Sequence, residues 1–270
     1  MVSRVKRLLP KKTKVGHTGT LDPIASGLLV LLLGRSTRLS RYVTGLDKVY
    51  TATARFGAIS DTLDADGEIT PFGTPMPDED VIRAALPDLT GDLLQVPPMA
   101  SALKREGVRL YDLHRRGVTV EREPRPITVH ALELFATERE NNTATFEITC
   151  TSGTYVRTLL ADLAERLGTG AYLTALRRTR VGHLPVERAI IPDALTPITI
   201  YNHIIQSVEA VAHLPRVEVG REGARAVRSG RALPTQGLVG SFRVEHDGTL
   251  LGVYQDAAGE ARAEVVLCAG

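Results

Sequence analysis

The chain predicts an α+β fold, a large domain of strands and helices followed by a small β-rich tail, and three observations carry the prediction. Thr51–Phe56 and Thr145–Thr151 alternate apolar and polar residues at the strand period. Val156–Leu167 spaces Leu159, Leu160, Leu163 and Leu167 along one helical face. From about Leu214 the chain changes to short alternating stretches, among them Gly240–His246, which turns at Asp247-Gly248 into Leu250–Tyr254 as a hairpin does.

Taken in order, residues 3 to 9 read as an amphipathic helix with Val5, Leu8 and Leu9 on one side. Lys14-Val-Gly-His-Thr-Gly-Thr-Leu-Asp-Pro-Ile-Ala-Ser-Gly27 follows, a segment of turn-forming residues around one carboxylate, Asp22. Gly16, Gly19 and Gly27 are expected to take backbone conformations closed to other residues, and Pro23 holds Asp22 out of the right-handed helical region. The apolar run Ile24–Leu33 that follows is expected to anchor the turn, with Gly27 to Gly34 as one buried strand. Gly57 ends the Thr51–Phe56 strand, Asp61–Gly67 is a loop without the ligand spacing of a calcium-binding EF-hand, and Asp78–Leu86 is a short helix after Pro77. Ser101–Pro126 is polar and holds Lys104, Arg105, Arg109, Arg115, Arg116, Arg122 and Arg125 with Tyr111 and His114 between them. Gly153 turns the chain before the leucine helix, Gly168-Thr-Gly170 ends that helix, and Ala171–Arg180 follows.

The 270 residues suit one large domain, or a main domain and a small one, and the apolar fraction of 43 % supports a sizeable core. No apolar run approaches the roughly 20 residues needed to span a bilayer, and Met1-Val-Ser-Arg-Val-Lys-Arg lacks the apolar core of a signal peptide, so a cytoplasmic protein is expected. Cys150 and Cys268 show no metal-ligand spacing and are expected to be reduced. The net charge of +2 excludes little, but its distribution is uneven. Residues 1 to 50 hold ten Lys/Arg against two acids, whereas residues 61 to 92 hold nine acids and one arginine. The basic segment would draw phosphate toward Asp22, and the acidic one should face away from it. The arginines of 101–126, interleaved with an aromatic residue, suit phosphate contacts and stacking on an unpaired base.

An isolated Asp-Pro reads as a simple Asx-type turn. The whole Gly16–Gly27 string, however, resembles the signature of the TruB family of tRNA pseudouridine-55 synthases. Asp47-Lys-Val-Tyr50, Gln95-Val-Pro-Pro-Met99, Arg125-Pro-Ile-Thr128, Cys150-Thr-Ser-Gly-Thr-Tyr-Val-Arg-Thr-Leu159 and Leu176-Arg-Arg178 resemble further blocks of that family in its order. The resemblance covers roughly residues 14 to 190. It implies a pseudouridine-synthase catalytic domain over 1–212, with a mixed, mainly antiparallel central sheet, and a PUA-like RNA-binding domain over 213–270. It makes Asp22 the catalytic residue and Arg157 its partner, a guanidinium expected to grip the carboxylate bidentately and to depress its pKa by about 1 to 3 units. Tyr50 would stack on the flipped uracil, Lys48, Tyr155 and Leu176 would line the pocket, and His17 would support the rearranged RNA loop. Lys104, Arg105, Arg109, Arg115 and Arg116 belong to what is, in the family, a mobile clamp over the RNA.

The activity so implied is isomerisation of the T-loop uridine of tRNA. The N1–C1′ bond breaks, the uracil turns and C5 rejoins C1′, with no redox change and no donor group. That agrees with the lack of a glycine-rich nucleotide fingerprint, a metal cluster or a cofactor lysine motif, and neither cofactor nor metal is expected. The partner is the T-arm of tRNA, bound by a monomer without an obligatory protein partner. A second reading keeps the fold and the tRNA but makes the chain a folding chaperone with weak or no catalysis. The family also places a strand and a Lys-Pro-x-Gly-x-Thr-Ser turn ahead of the Gly-His-Thr-Gly block. This sequence begins at Met1-Val-Ser-Arg, within the helix that would follow, so an open sheet edge and weaker bracing of the Asp22 turn are expected. Ala100 stands where the family often has an aromatic residue, and Ser152 where many members have lysine.

Overall fold

A computed structural model describes residues 1–101, 103–105 and 107–267, the side chains of Lys104, Arg105 and Arg109 excepted. Cys268 and those three side chains lie outside the described residues. The chain folds as two compact units, one of Thr20–Leu29 and Gly45–Arg188, the other of Met1–Gly19, Val30–Thr44 and Ala189–Gly270.

The first unit is built on a seven-stranded sheet. Its order is Leu184–Pro185, Ala171–Val181, Lys48–Phe56, Thr143–Cys150, Arg125–Glu138 and Gly91–Gln95, all antiparallel, with Ala25–Gly27 added in parallel to Ala171–Val181. The alternation read in the sequence is the alternation of burial, since Ala52, Ala54 and Phe56 point inward and meet Ala144, Phe146 and Ile148. Helix Val156–Arg166 lays Val156, Leu159, Leu160 and Leu163 on this core. Each such leucine contributes about 1.5–3 kcal/mol by leaving water. Gly168, at a φ of 71°, takes the left-handed conformation that stops the helix.

In the second unit a five-stranded sheet runs in the order Arg216–Glu218, Ser241–His246, Thr249–Ala257, Glu260–Val266 and Leu233–Pro234. Helix Arg221–Arg228 buries Ala224 and Val227 among Phe242, Val244, Leu251 and Tyr254. Asp247 and Gly248 both have positive φ, 48° and 71°, as the expected two-residue hairpin turn requires. The mixed, mainly antiparallel sheet and the β-rich C-terminal sheet are those of the predicted α+β class. No helix among the described residues is long and apolar enough to cross a membrane.

One strand expectation fails. Gly27 to Gly34 is not a single strand, because the apolar run is shared between two sheets. Ala25–Gly27 pairs with Leu176–Arg178, and Leu31–Leu33 pairs with Val15–His17, the two halves falling in different units. The crossing starts at Gly27, whose φ of 98° turns the chain and whose missing side chain lets it approach the next strand. A Cβ there would lie 2.2 Å from the Arg178 carbonyl oxygen. Gly19 also uses a positive φ, at 142°, whereas Gly16 sits in ordinary strand geometry and needs no such freedom.

Candidate active site

Asp22 sits where the Gly-rich segment turns into the central sheet. The Ala25 N–H bonds the Asp22 carbonyl (2.9 Å), closing the Asp-Pro turn, and the next residues are pinned to the Leu176–Arg178 strand. Arg178 grips this join twice. Its carbonyl accepts the Leu28 N–H (2.8 Å) and its Nε donates to the Leu28 carbonyl (2.8 Å). A carboxylate on so short a tether cannot follow a moving substrate; it is held at one place.

Arg157 reaches Asp22 from the first turn of the leucine helix. Its side chain is 3 % exposed, and its Nε lies 2.8 Å from Asp22 Oδ2 without aiming its hydrogen well along that line. The rest of the guanidinium is engaged elsewhere. Nη1 donates to the Thr62 carbonyl (2.7 Å) and lies 3.1 Å from Asp64 Oδ2, and Nη2 donates to the Ala100 carbonyl (2.8 Å). The expected bidentate grip on Asp22 is therefore replaced by a contact through one nitrogen, because two main-chain carbonyls and a second acid take the fork.

The pKa expectation reverses as well. Burial raises the Asp22 carboxyl above its ordinary value and outweighs the opposing attraction of Arg157, while the charge of Asp64 pushes the same way as burial. Two acids share one guanidinium, so the buried cluster carries an excess negative charge at the only member that reaches outward. Asp22 keeps 32 % of its side chain exposed against 4 % for Asp64.

Asp64 is the residue that sequence reasoning missed. It lies in the acidic stretch expected to face away from RNA, and its Oδ1 accepts hydrogen bonds from Thr62 Oγ1 (2.6 Å) and the Asp66 N–H (3.1 Å) while its Oδ2 faces Arg157. The available signal was the Thr62-Leu-Asp-Ala-Asp-Gly67 turn chemistry, in which an Asx-type acid caps its own loop.

Tyr50 lies across the sheet from Arg178, half-buried. Burial raises its hydroxyl pKa, the Arg178 charge and hydrogen bond work against this, and the charge of Asp22 adds to the rise. Lys48, two residues earlier, is buried, with its Nζ bonded to the Leu46 carbonyl (2.5 Å). Desolvation, with the like charge of Arg178, lowers its pKa to about 8. Leu176 is buried beside Ala25, and the main chain of Tyr155 is clasped by the Gln95 amide at 2.8 and 3.1 Å. Burial also raises the Tyr155 hydroxyl, and both Asp22 and Arg157 act on it. Asp22, Arg157, Tyr50, Lys48, Tyr155 and Leu176 thus belong to one unit. His17 belongs to the other, exposed at the end of Val15–His17, where its Nδ1 faces the Gly19 N–H at 3.4 Å.

Arg115 and Arg116 are exposed just beyond helix Leu110–His114, Arg115 lying 5.9 Å from the ring centroid of Tyr111. Cys150 is buried, and desolvation pushes its thiol up to about 11. Among the described residues one set, Glu218, His246 and Asp247, brings its donor atoms close enough to share an ion, but Glu218 already accepts from Arg216 and the Asp247 N–H.

Comparison with known proteins gives the chain its family. The model of the TruB family pseudouridylate synthase N-terminal domain matches residues 6–156, and that of the tRNA pseudouridylate synthase B C-terminal domain matches residues 157–214. A protein of Aromatoleum aromaticum called tRNA pseudouridine synthase B is 43 % identical over 92 % of this chain and 81 % of its own length. One of the same name from Burkholderia lata is 44 % identical over 95 % and 82 %. The fold is also that of a chain in the crystal structure of a Cbf5-Nop10-Gar1 complex, with a TM-score of 0.74 and 23 % identity over 99 % of this chain and 80 % of that one. With two family models covering residues 6–214 and relatives above 40 % identity over most of their length, this chain belongs to the TruB family of pseudouridylate synthases.

Proposed function

We propose that the protein converts the T-loop uridine at position 55 of tRNA into pseudouridine, with Asp22 as the catalytic carboxylate. The observation that carries the reading is Asp22 itself. It is a partly exposed acid on a fixed turn, held by an arginine whose own position is set by two main-chain carbonyls and Asp64.

Glycosidic cleavage builds positive charge at C1′, and an ionised carboxylate placed there in advance stabilises it without reorganising at the moment of reaction. Arg157 opposes the cost that burial sets on the Asp22 charge. In the isomerisation the N1–C1′ bond breaks and the C5–C1′ bond forms, and the proton lost from C5 is balanced by the one gained at N1, so no cofactor enters. The uridine must first leave its stack, at a cost of a few kcal/mol. Tyr50 offers a ring for the extruded base to stack on, Leu176 and Tyr155 close the pocket, and Lys48 adds an amine of lowered pKa at its wall.

Arg115 and Arg116, together with Lys104, Arg105 and Arg109, supply the phosphate contacts that offset base extrusion, and the PUA-like C-terminal sheet and His17 add to the hold on the folded loop. The protein acts in this reading as a cytoplasmic monomer. The test is to incubate the purified chain with an isolated T-arm stem-loop and no partner RNA. Conversion of the uridine at position 55 is expected. Tight binding without conversion would instead favour the tRNA-chaperone reading.

A further inference from the structure

The guanidinium of Arg157 is set by two main-chain carbonyls, that of Thr62 on one side and that of Ala100 on the other. Thr62 belongs to the loop that also presents Asp64. Ala100 opens into the arginine-rich insertion. The two sides meet again at the surface. Within the insertion the Tyr111 N–H bonds the Ser101 carbonyl (3.0 Å) and the Leu110 N–H bonds the Leu103 carbonyl (2.7 Å), so helix Leu110–His114 is tied to the segment next to Ala100. The last residue of that helix, His114, places Nε2 3.4 Å from Oδ2 of Asp61, the neighbour of Thr62. Asp61 Oδ1 accepts the Glu68 N–H (2.8 Å), which closes the loop on itself, and Gly67 leaves the room for it, a Cβ there lying 2.2 Å from that oxygen.

These contacts form a closed ring that runs from Arg157 through Thr62 and Asp61 to His114, back along the helix to Ser101 and Ala100, and so to Arg157. Every link but one is covalent or bonds a main-chain group. The exception is the side-chain contact between Asp61 and His114, whose side chains are 53 % and 22 % exposed. Arg115 and Arg116 follow His114 directly, so a pull on them by phosphate falls on this link first.

We propose that Asp61 and His114 are positioning residues which transmit the seating of the arginine-rich insertion on RNA through Arg157 to Asp22. The proposal rests on the reading of Asp22 and Arg157 given above. With the link intact, an insertion drawn onto the RNA carries the Asp61–Asp64 loop and the Ala100 carbonyl together, and the guanidinium between them stays directed at Asp22. With it broken, the insertion still binds phosphate but no longer orders the loop on the far side of the guanidinium.

The test is single-turnover conversion of a T-arm stem-loop at saturating enzyme by Asp61→Asn, His114→Gln, the double variant and His114→Lys. The single substitutions are expected to slow the reaction about three- to tenfold while the Kd for RNA stays within about twofold. The double variant should be no slower than the slower single, and His114→Lys, which places a nitrogen donor opposite Asp61, should recover most of the rate. Unchanged single variants, or a double variant whose loss is the product of the two, would overturn the coupling. Amide hydrogen exchange gives a reading independent of turnover. His114→Gln should accelerate exchange at Ala65 and Leu173, whose N–H groups bond the Leu173 and Leu63 carbonyls across the loop. Acceleration confined to the insertion would overturn the proposal even in a chain that converts no uridine, an outcome that would by itself count only against the proposed function.

Discussion

Two ion clusters, one in each unit, differ in how completely they satisfy their carboxylates. In the C-terminal sheet Glu245 is flanked by Arg243 (Nε to Oε1, 2.5 Å) and Arg216 (Nε to Oε2, 2.9 Å), and Arg243 Nη1 donates to the Ala212 and Leu214 carbonyls at 2.5 and 2.7 Å. Two arginines there meet one buried acid, and both of its oxygens are engaged. Arg216 also holds Glu218 (2.6 Å), so acids and arginines balance there, whereas at Arg157 two acids meet one guanidinium, with two carbonyls on its remaining nitrogens. Both clusters use an arginine fork braced on main-chain oxygens. They differ in where the surplus lies, since the first satisfies its carboxylate completely whereas the second leaves Asp22 contacted by one nitrogen and partly open. A carboxylate left over in this way is costly to keep charged and available to act, a familiar conflict between stability and activity.

The comparison breaks first at Asp22. Asp22→Asn is expected to lower single-turnover conversion by at least about a thousandfold, or roughly 4 kcal/mol of barrier, with tRNA affinity within a few-fold, because the charge serves the chemistry and not the grip on a polyanion. The same change should raise the melting temperature at pH 7. Because the folded pKa of Asp22 is raised, its titration favours the folded state below the unfolded value of 3.8, and this contribution is lost as pH rises through the folded pKa, so a neutral isostere removes a cost present at neutral pH. Substantial turnover, or a lower melting temperature, would count against the assignment. In the satisfied cluster the signs reverse. Glu245→Gln leaves Arg243 without its acid and Arg216 with Glu218 alone, and should cost about 3 kcal/mol of stability, read by thermal melting, while the rate per folded molecule at saturating RNA stays unchanged.

Arg157→Lys sharpens the contrast. Lysine keeps the charge but cannot reach Asp22, Asp64 and two carbonyls at once, so single-turnover rates should fall by at least about tenfold, roughly 1.4 kcal/mol. The smallest expected effect is at the exposed end. Replacing Arg115 and Arg116 together by alanine should weaken tRNA binding and reduce the slope of log affinity against log salt by about one to two, one released counterion for each lost phosphate contact. An unchanged slope would remove these arginines from the RNA interface.

The regular parts of this architecture were legible because they repeat. The leucines of Val156–Arg166, the alternation of Thr51–Phe56 and the Asp247-Gly248 turn each announce a period or a backbone conformation in a few adjacent letters. The division of Ile24–Leu33 between two sheets was not legible, because hydropathy reports that a run is buried and not which partner strand buries each half. Asp22 and Arg157 were legible as a pair, but the protonation balance between them was not. Desolvation depends on what surrounds the carboxyl in three dimensions, and the second acid arrives from a loop that reads as solvated surface. A charge inside an acidic run carries no local mark of having turned inward, and Asp64 is recognised only once Arg157 is seen to bind it.

The central claim is that the chemistry uses an ionised Asp22 whose charge is costly and is maintained by Arg157, and the acid limb of the single-turnover pH profile tests it most directly. Activity on a T-arm stem-loop should fall as Asp22 gains its proton, with a midpoint above the ordinary aspartate value of 3.8, and in Arg157→Lys, where the opposing attraction is weakened, that midpoint should move further upward. A midpoint at or below 3.8, or one that Arg157→Lys leaves in place, would contradict the account.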